Sequence, residues 1–264
     1  ALNLYRLAAA NQVLGIPRAM ERTIHSDGDS VEVKWAAGAA AKDEAVARRQ
    51  VADVMARYEV LEPNIIEVTV TIRAQRSCSG FEVFMPSYVD KSLEPHIYLQ
   101  PRGFGRGNVT EPDLVVPTVS DVFRGTLLAF PRDDHAARLC LDGRWDRISE
   151  VQVCPVRHYV HCLAFLAHPE DRTGVVLMAN PRHVFAISAR YHATAEADRL
   201  TPYSAFDFSL FGDDLLPGDE RSAKVRLVLT SLDAELSQPL KLYESFITQT
   251  KDLIDQPQRP TGKE

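Results

Sequence analysis

Apolar and polar residues alternate with a period of two along several stretches of the chain. In residues 66–73, every second side chain from Ile66 onward is Ile or Val, and the residues between are Glu, Thr or Arg. Residues 223–229 largely repeat this pattern. Because successive side chains of a strand point to opposite faces, each stretch predicts a β-strand with one buried and one solvated face.

Other runs are apolar on both faces, which is typical of strands buried between two layers. Residues 174–179 and 184–189 are two such runs, and the Asn180-Pro181 dipeptide between them is a turn signal. Residues 159–167 form a longer run that ends at a polar segment. The remaining predicted strands cover residues 2–7, 31–36, 54–60, 81–85, 97–99, 126–130, 137–141 and 206–210.

The strand candidates follow one another along the chain, whereas helical segments are scarce. This order predicts a mainly β fold, a large antiparallel β-sandwich with one C-terminal α-helix, and not alternating β-α units. No linker divides the chain, so residues 1–264 are expected to form a single domain. The polar tail at residues 256–264 is expected to be frayed.

Two helices and one tight turn are also predicted. Ser237 stands where an N-cap would, with Pro239 in the first turn, so an amphipathic helix is expected over residues 239–254. A short helix is expected at residues 42–50. Asp142-Gly143 is typical of a tight hairpin turn after the predicted strand at 137–141.

Composition and charge narrow the classes of function. The chain has 264 residues, 45% hydrophobic and 25% charged, with a formal net charge of −6, an ordinary balance for a packed globular protein. The acidic balance and scattered arginines argue against nucleic acid as a partner. No apolar stretch approaches the roughly 18 residues of a membrane helix, and the N-terminal residues do not resemble a signal peptide. A soluble protein without a membrane partner is expected, while its compartment and a homo-oligomeric state stay open.

The four cysteines are Cys78, Cys140, Cys154 and Cys162, and no two of them form a C-x-x-C pair. The latter two lie in or beside apolar runs, which favours free buried thiols. Two disulfides are the alternative because the count is even, although such frameworks are typical of short secreted chains.

Motifs of several common chemistries are absent. The sequence has no phosphate-binding loop, serine nucleophile elbow or zinc-helix motif, so no cofactor is implied. Residues 103–107 are rich in glycine, but no helix follows them to hold a pyrophosphate. The segment is interpreted as a flexible loop between strands. Alternatively, Arg102 and Arg106 offer donors to an anion or a sugar hydroxyl at the lip of a site.

Histidine spacing argues against a metal site on the strand at 159–167. His158 and His161 are three residues apart, so on a regular strand they point to opposite faces and make a poor zinc pair. A β-bulge would change that geometry. His161 is expected to share a face with Tyr159, Leu163 and Phe165, as a core or cleft histidine.

Three further residues are candidate ligand contacts. His96 and Tyr98 are two apart after the Glu94-Pro95 turn, so they share a face and are predicted to contact a polar ligand. Trp145 follows a turn among charged residues, where its ring could stack on a sugar. The alternative for Trp145 is ordinary packing, because Trp is highly buried on average.

A carbohydrate-modifying enzyme would need carboxylates for proton transfer. Glu82 and Asp207 interrupt otherwise apolar strands, which makes them the candidate catalytic residues. Asp207 lies between two phenylalanines, where desolvation would raise its pKa and make it a usable acid. A glycosidase pair must also stand roughly 5–9.5 Å apart, and an exposed face is the alternative location for each residue.

The strand order resembles that of a known sandwich family. The segment Arg57-Tyr58-Glu59-Val60, leading into residues 65–72, is similar to the β-supersandwich of galactose-mutarotase-like proteins. Residues 206–212 and 223–229, joined through Pro217-Gly218, are similar to closing strands of bacterial sandwich domains that accompany sugar-active enzymes. The resemblance covers residues 50–232 and implies a sandwich with a carbohydrate ligand. The family's histidine motif is not present, so no catalytic residue is carried over.

Three hypotheses for the function follow. The first is a β-sandwich that binds or modifies carbohydrate, with His96, Tyr98, Trp145 and the 102–106 loop lining a cleft. The second is a non-catalytic structural or interaction module, because no site motif stands out. The third is a metal-dependent hydrolase or isomerase that uses several histidines.

Overall fold

Sixteen strands and two α-helices are found in the computed structural model, which describes residues 2–36, 51–101, 111–118, 127–145, 151–191 and 203–251. The strands are β1 Arg6–Ala9, β2 Gln12–Gly15, β3 Thr23–Asp27, β4 Ser30–Trp35, β5 Ala52–Glu62, β6 Ile65–Ala74, β7 Cys78–Asp90, β8 Glu94–Leu99, β9 Asp113–Val115, β10 Leu127–Pro131, β11 Val151–Val153, β12 Tyr159–Ala167, β13 Thr173–Ala179, β14 Val184–Arg190, β15 Tyr203–Leu215 and β16 Glu220–Ser231. The helices are α1 Asp134–Cys140 and α2 Gln238–Thr250, with 3-10 turns at Pro17–Ala19 and Pro181–His183.

The strands form two sheets. The seven-stranded sheet has the order β11-β10-β14-β15-β7-β1-β2, and the nine-stranded sheet has the order β3-β4-β5-β6-β16-β13-β12-β8-β9. Neighbouring strands within the described ranges are antiparallel except β10 and β11. The predicted mainly β sandwich with a C-terminal helix is therefore confirmed.

The core lies where the apolar faces of the two sheets meet. Val68, Val70 and Ile72 of β6 are fully buried, as their alternation predicts, and so are Phe206 and Phe208 of β15. These residues belong to one continuous hydrophobic cluster that draws on both sheets. Burial of each such side chain contributes roughly 1.5–3 kcal/mol, so these strand faces stabilise the packing of the two sheets against each other.

The predicted strand at residues 137–141 is wrong, because that segment belongs to helix α1. Asp133 caps the helix by accepting a hydrogen bond from the Ala136 N–H at 2.8 Å. The buried residues Ala136 and Cys140 are four positions apart, which is helical spacing, and pack against the outer face of the seven-stranded sheet. The capping Asp and this spacing outweigh the short apolar run that suggested a strand.

The predicted hairpin at Asp142-Gly143 is also wrong, since these residues follow α1 and join no pair of strands. The Asp142 side chain instead accepts hydrogen bonds from the backbone N–H of Arg144 at 3.0 Å and from its Nη2 at 2.7 Å. The Asp142-Gly143 turn therefore follows the end of helix α1, and its Asp142 forms an ion pair with the buried Arg144.

Helix α2 covers the outer face of the nine-stranded sheet. Its buried residues Tyr243 and Phe246 face the sheet, and the Arg226 guanidinium of β16 lies 5.0 Å from the Phe246 ring centroid. The predicted helix is confirmed over residues 239–250, and residues 252–264 lie outside the described ranges. Ser237 makes no side-chain cap, because its hydroxyl donates to Asp233 Oδ2 at 2.6 Å.

The short strands β2, β3, β9 and β11 were not predicted, and the first strand begins at Arg6 instead of residue 2. The predicted helix at residues 42–50 lies outside the described ranges. All four cysteines are free, as expected. Of the two that were expected to be buried, Cys162 is buried and Cys154 is only half-buried. None of the described helices has the length and apolar character that crossing a membrane requires.

Candidate functional site

The outer face of the seven-stranded sheet carries a row of buried polar side chains. The pairing places Asp207 of β15 opposite Pro86 of β7 and Ser188 of β14. Arg6 of β1 pairs with Phe84, so its side chain joins the same face. The strands thus bring together ionisable groups that are far apart in sequence.

Glu82 lies at one end of this face and is fully buried. It accepts hydrogen bonds from Trp145 Nε1 at 3.1 and 3.2 Å, and Arg144 Nη1 lies 3.5 Å away. Arg6 Nη2 is 4.0 Å from the same carboxylate. Through these contacts, Glu82 anchors the segment that follows α1 to the sheet.

Gly80 makes that anchor possible. Its φ is +59°, and a Cβ at this position would stand 2.7 Å from Arg144 Nη2 and 3.0 Å from Leu139 Cδ2. Arg144 Nη1 also donates to the Gly80 carbonyl at 2.8 Å. Only glycine therefore leaves room for the buried guanidinium to approach the strand.

Asp207 has a different environment at the other end of the face. Its side chain is 1% exposed, and its carboxyl accepts a hydrogen bond from the Ser87 backbone N–H. Its Oδ1 has no hydrogen-bond partner among the described residues. Burial raises the pKa of Asp207 to about 7, although Arg190 and Arg6 act in the opposite direction.

The polar neighbours of Asp207 are only partly satisfied. Ser188 Oγ and Ser209 Oγ lie on the same face, and they too find no hydrogen-bond partner within the described ranges. An unpaired buried polar group costs roughly 1–3 kcal/mol. These groups, together with a carboxyl of raised pKa, make this face the candidate functional site.

A pocket of about 100 Å³ opens at Asp207. We call it the Asp207 pocket, and it is lined by Tyr5, Phe84, Tyr88, Leu127, Arg190, Tyr203, Ala205 and Asp207.

Four aromatic rings and one guanidinium form most of this lining. Arg190 Nη1 donates to the Tyr203 hydroxyl at 2.8 Å, which fixes both side chains. The Tyr88 and Tyr203 rings meet edge to face with centroids 4.8 Å apart. Tyr88 is 40% exposed, so part of its ring is accessible to a ligand.

Glu82 and Asp207 do not meet as a glycosidase pair. Glu82 is four positions along β7 from Pro86, the residue opposite Asp207, and four strand steps span about 13 Å. Adding the spacing between strands leaves the two backbones about 14 Å apart. Glu82 also does not line the Asp207 pocket, and its carboxylate is bound to Trp145 and Arg144 instead.

His96 and Tyr98 lie on the other sheet. They share a face, as predicted, because both contact Phe165: His96 stacks on its ring at 4.8 Å, and Tyr98 is 6.3 Å away. His96 Nδ1 lies 3.0 Å from the Glu94 carbonyl, and its side chain is nearly buried. Burial lowers the pKa of His96, so its imidazole is neutral at pH 7.

A bulge in β12 places Tyr159 and His161 on different faces of the sheet. Tyr159 pairs with Leu99 and Ala164 pairs with Ile97, so β12 contains extra residues between these two pairs. The bulge turns Tyr159 into the core, where its hydroxyl donates to the Val184 carbonyl at 2.5 Å. Tyr159 therefore does not share a face with His161, contrary to the expectation. The expected common face of His161 and Phe165 is kept, because both rings contact Tyr98, at 5.4 and 6.3 Å.

The predicted site residues thus fall into three groups. The seven-stranded sheet carries Glu82 and Asp207, with Trp145 packed on it. The nine-stranded sheet carries His96, Tyr98 and His161. The third group, Arg102 and Arg106, lies outside the described ranges. Within the described residues, no three His, Cys, Asp or Glu side chains form a group that could hold a metal ion.

Sequence reasoning did not identify Arg6, Tyr88, Arg190 and Tyr203 as site residues. The sequence does carry a signal for Tyr88, which is an even number of residues from Glu82 on the same strand and therefore shares its face. The other three depend on strand order, which a single sequence does not show.

Neither a family model nor a curated protein matches this sequence. Solved structures with a similar strand arrangement include an aldose 1-epimerase candidate from Escherichia coli K12, with a TM-score of 0.46, 10% identity, and coverage of 80% of this chain and 69% of that chain. The GalM/aldose epimerase homologue from C. elegans gives a TM-score of 0.43 at 9% identity, covering 88% of this chain and 82% of that one.

Galactose 1-epimerase from Lactobacillus acidophilus NCFM gives a TM-score of 0.37 at 11% identity, covering 80% of this chain and 66% of that one. The group that the sequence resembles is therefore among the structural neighbours. Because all three TM-scores lie below 0.5, no activity, substrate or residue role passes from these proteins to this chain.

Proposed function

We propose that this protein binds a sugar-type, polyhydroxylated ligand in the Asp207 pocket. The observation that carries the proposal is a buried carboxyl with one oxygen unpaired among the described residues, facing a pocket with aromatic walls. Sugars combine hydroxyls with apolar C–H faces, so polar groups set between aromatic rings match both of their surfaces.

The pocket dimensions indicate how much of a ligand enters. A volume of about 100 Å³ is below the roughly 300–1,000 Å³ of sites that enclose drug-sized ligands. One edge of a sugar ring therefore enters, with a hydroxyl directed to Asp207 Oδ1. The rest of the ring stacks against the accessible part of Tyr88.

Asp207 also gives the site a group for proton transfer. With a pKa of about 7, its carboxyl can accept or donate a proton near neutral pH, where general acid–base catalysis is most effective. Arg190 would stabilise a negative charge that develops on a ligand oxygen, since it lines the same pocket. Glu82 and Trp145 act as the support of this site and not as ligand contacts, because both are buried and bound to each other.

Calorimetric titration with D-glucose, D-galactose, D-mannose and N-acetylglucosamine tests the proposal. We expect saturable binding of at least one sugar, lost in Tyr88→Leu. We also expect the affinity to rise with pH through about 7, because an ionised carboxylate makes the stronger hydrogen bonds. Asp207→Asn should abolish this pH dependence.

Asp213→Asn is the matched control, since Asp213 lies on the same strand but pairs with Arg221 outside the pocket. It should leave sugar binding and its pH dependence unchanged. If no sugar binds, or if binding ignores both pocket variants, the proposal is wrong and the role of an interaction module gains support.

A further inference from the structure

A second and larger cavity, of about 550 Å³, lies between helix α2 and the 3-10 turn at Pro181–His183. It shares no lining residue with the Asp207 pocket. Its volume falls within the roughly 300–1,000 Å³ that is typical of small-molecule sites. We call it the α2 groove, and the lining residues that matter here are His161, Arg182, Tyr243, Glu244, Ile247 and Lys251.

The β12 bulge and helix α2 build this groove together. The bulge frees the Cys162 N–H from the strand ladder, and this N–H donates to the Tyr243 hydroxyl of α2 at 3.3 Å. The His161 and Tyr243 rings then meet with centroids 5.6 Å apart and an interplanar angle of 60°. The helix is thereby fixed against the strand, and two rings form one wall of the groove.

The opposite side is a rigid turn. Asn180 Oδ1 accepts a hydrogen bond from the Arg182 N–H at 2.9 Å, and Arg132 Nη1 donates to the Pro181 and Arg182 carbonyls at 3.0 and 3.3 Å. The backbone that carries the Arg182 side chain is therefore held in place, while the side chain itself is exposed.

The charges around the groove favour an anion. Arg182 and Lys251 each contribute a positive charge, whereas Glu244 contributes a negative one. Burial lowers the pKa of His161, and Glu244 raises it to a smaller extent, so the imidazole is neutral at pH 7. The His161 ring lies edge to face between Tyr98 and Tyr243, with centroid distances of 5.4 and 5.6 Å.

We propose that the α2 groove binds a small anion with a flat apolar body, of the aromatic carboxylate class. The apolar body packs against the His161 and Tyr243 rings and against Ile247. The carboxylate reaches Arg182 and Lys251 at the rim, where a guanidinium can bind it through two parallel hydrogen bonds.

Calorimetric titration with benzoate, and with benzamide as its uncharged isostere, tests this proposal. We expect saturable benzoate binding that is at least tenfold tighter than benzamide binding and that weakens as salt is added. Arg182→Gln should weaken benzoate binding at least fivefold. The substitution is safe for folding because that side chain is exposed.

Arg172→Gln is the matched control, because Arg172 is an exposed arginine outside the groove, and it should leave benzoate binding unchanged. Asp207→Asn should also have no effect, so failure of the sugar site and failure of this site are distinguishable. Equal binding of benzoate and benzamide, unchanged binding in Arg182→Gln, or no saturation at millimolar benzoate would each overturn the proposal.

Discussion

Asp207→Asn replaces a buried carboxyl by an amide of nearly the same shape that does not ionise. Burial raises the pKa of Asp207 from 3.8 to about 7, so between these pH values the folded state binds a proton that the unfolded state releases. The free energy of unfolding of the wild type therefore falls as pH rises through this window. The free energy of unfolding of Asp207→Asn does not fall in this way, because its amide does not ionise.

The magnitude follows from the size of the shift. Each pKa unit corresponds to about 1.4 kcal/mol, so a rise from 3.8 to about 7 amounts to about 4 kcal/mol. Asp207 is almost fully buried, so solvent screening does not reduce this value. Arg190 and Arg6 lower the pKa of Asp207, and the value of about 7 already includes their effect.

Urea unfolding of wild type and Asp207→Asn between about pH 4 and pH 8 measures the effect. The variant-minus-wild-type difference in unfolding free energy should grow by about 1.4 kcal/mol per pH unit and level off above pH 7. Ionisations elsewhere cancel in this difference. A difference that stays constant across the range would show that Asp207 titrates normally and would refute the reasoning.

Three further substitutions have defined outcomes in the same assay. Glu82→Gln should destabilise the fold, because it removes the carboxylate that faces buried Arg6 at 4.0 Å and Arg144 at 3.5 Å. Arg144 keeps Asp142 as a partner, so the cost should stay below the roughly 3–5 kcal/mol of a buried charge left wholly unpaired. Gly80→Ala should cost clearly more than Gly28→Ala, since both have positive φ but only the Gly80 Cβ would meet other atoms; equal costs would contradict the steric argument. Tyr243→Phe should lower the free energy of unfolding by about 1–3 kcal/mol, because it leaves the Cys162 N–H unpaired. Slower amide hydrogen exchange at Cys162 in the variant than in the wild type would contradict this.

The fold could be predicted from sequence where the period-two pattern is strong. Residues 66–73 and 223–229 lie in strands close to their predicted bounds, because burial of one face determines the alternation in both segments. The segment at 137–141 failed because its apolar residues also fit a helix, and the Asp133 cap decides between the two. Short strands such as β3 carry no buried residue and therefore no apolar signal.

The candidate site was predictable only in part. Asp207 stands out in sequence as a carboxylate between phenylalanines, and its burial and raised pKa agree with that argument. Its pairing with Ser188 and its approach to Arg6 and Arg190 depend on strand order, which brings together β1, β7, β14 and β15. The bulge that turns Tyr159 away from His161 depends on the register between β12 and β8, which composition does not encode.

The sugar site at Asp207 is tested most directly by NMR of protein carrying labelled tyrosine rings. On titration with the sugar panel, the Tyr88 and Tyr203 resonances should shift together and saturate, because both rings line the pocket. Tyr243, which lies in the α2 groove, should not respond. Unshifted Tyr88 and Tyr203 resonances at saturating sugar would contradict the account.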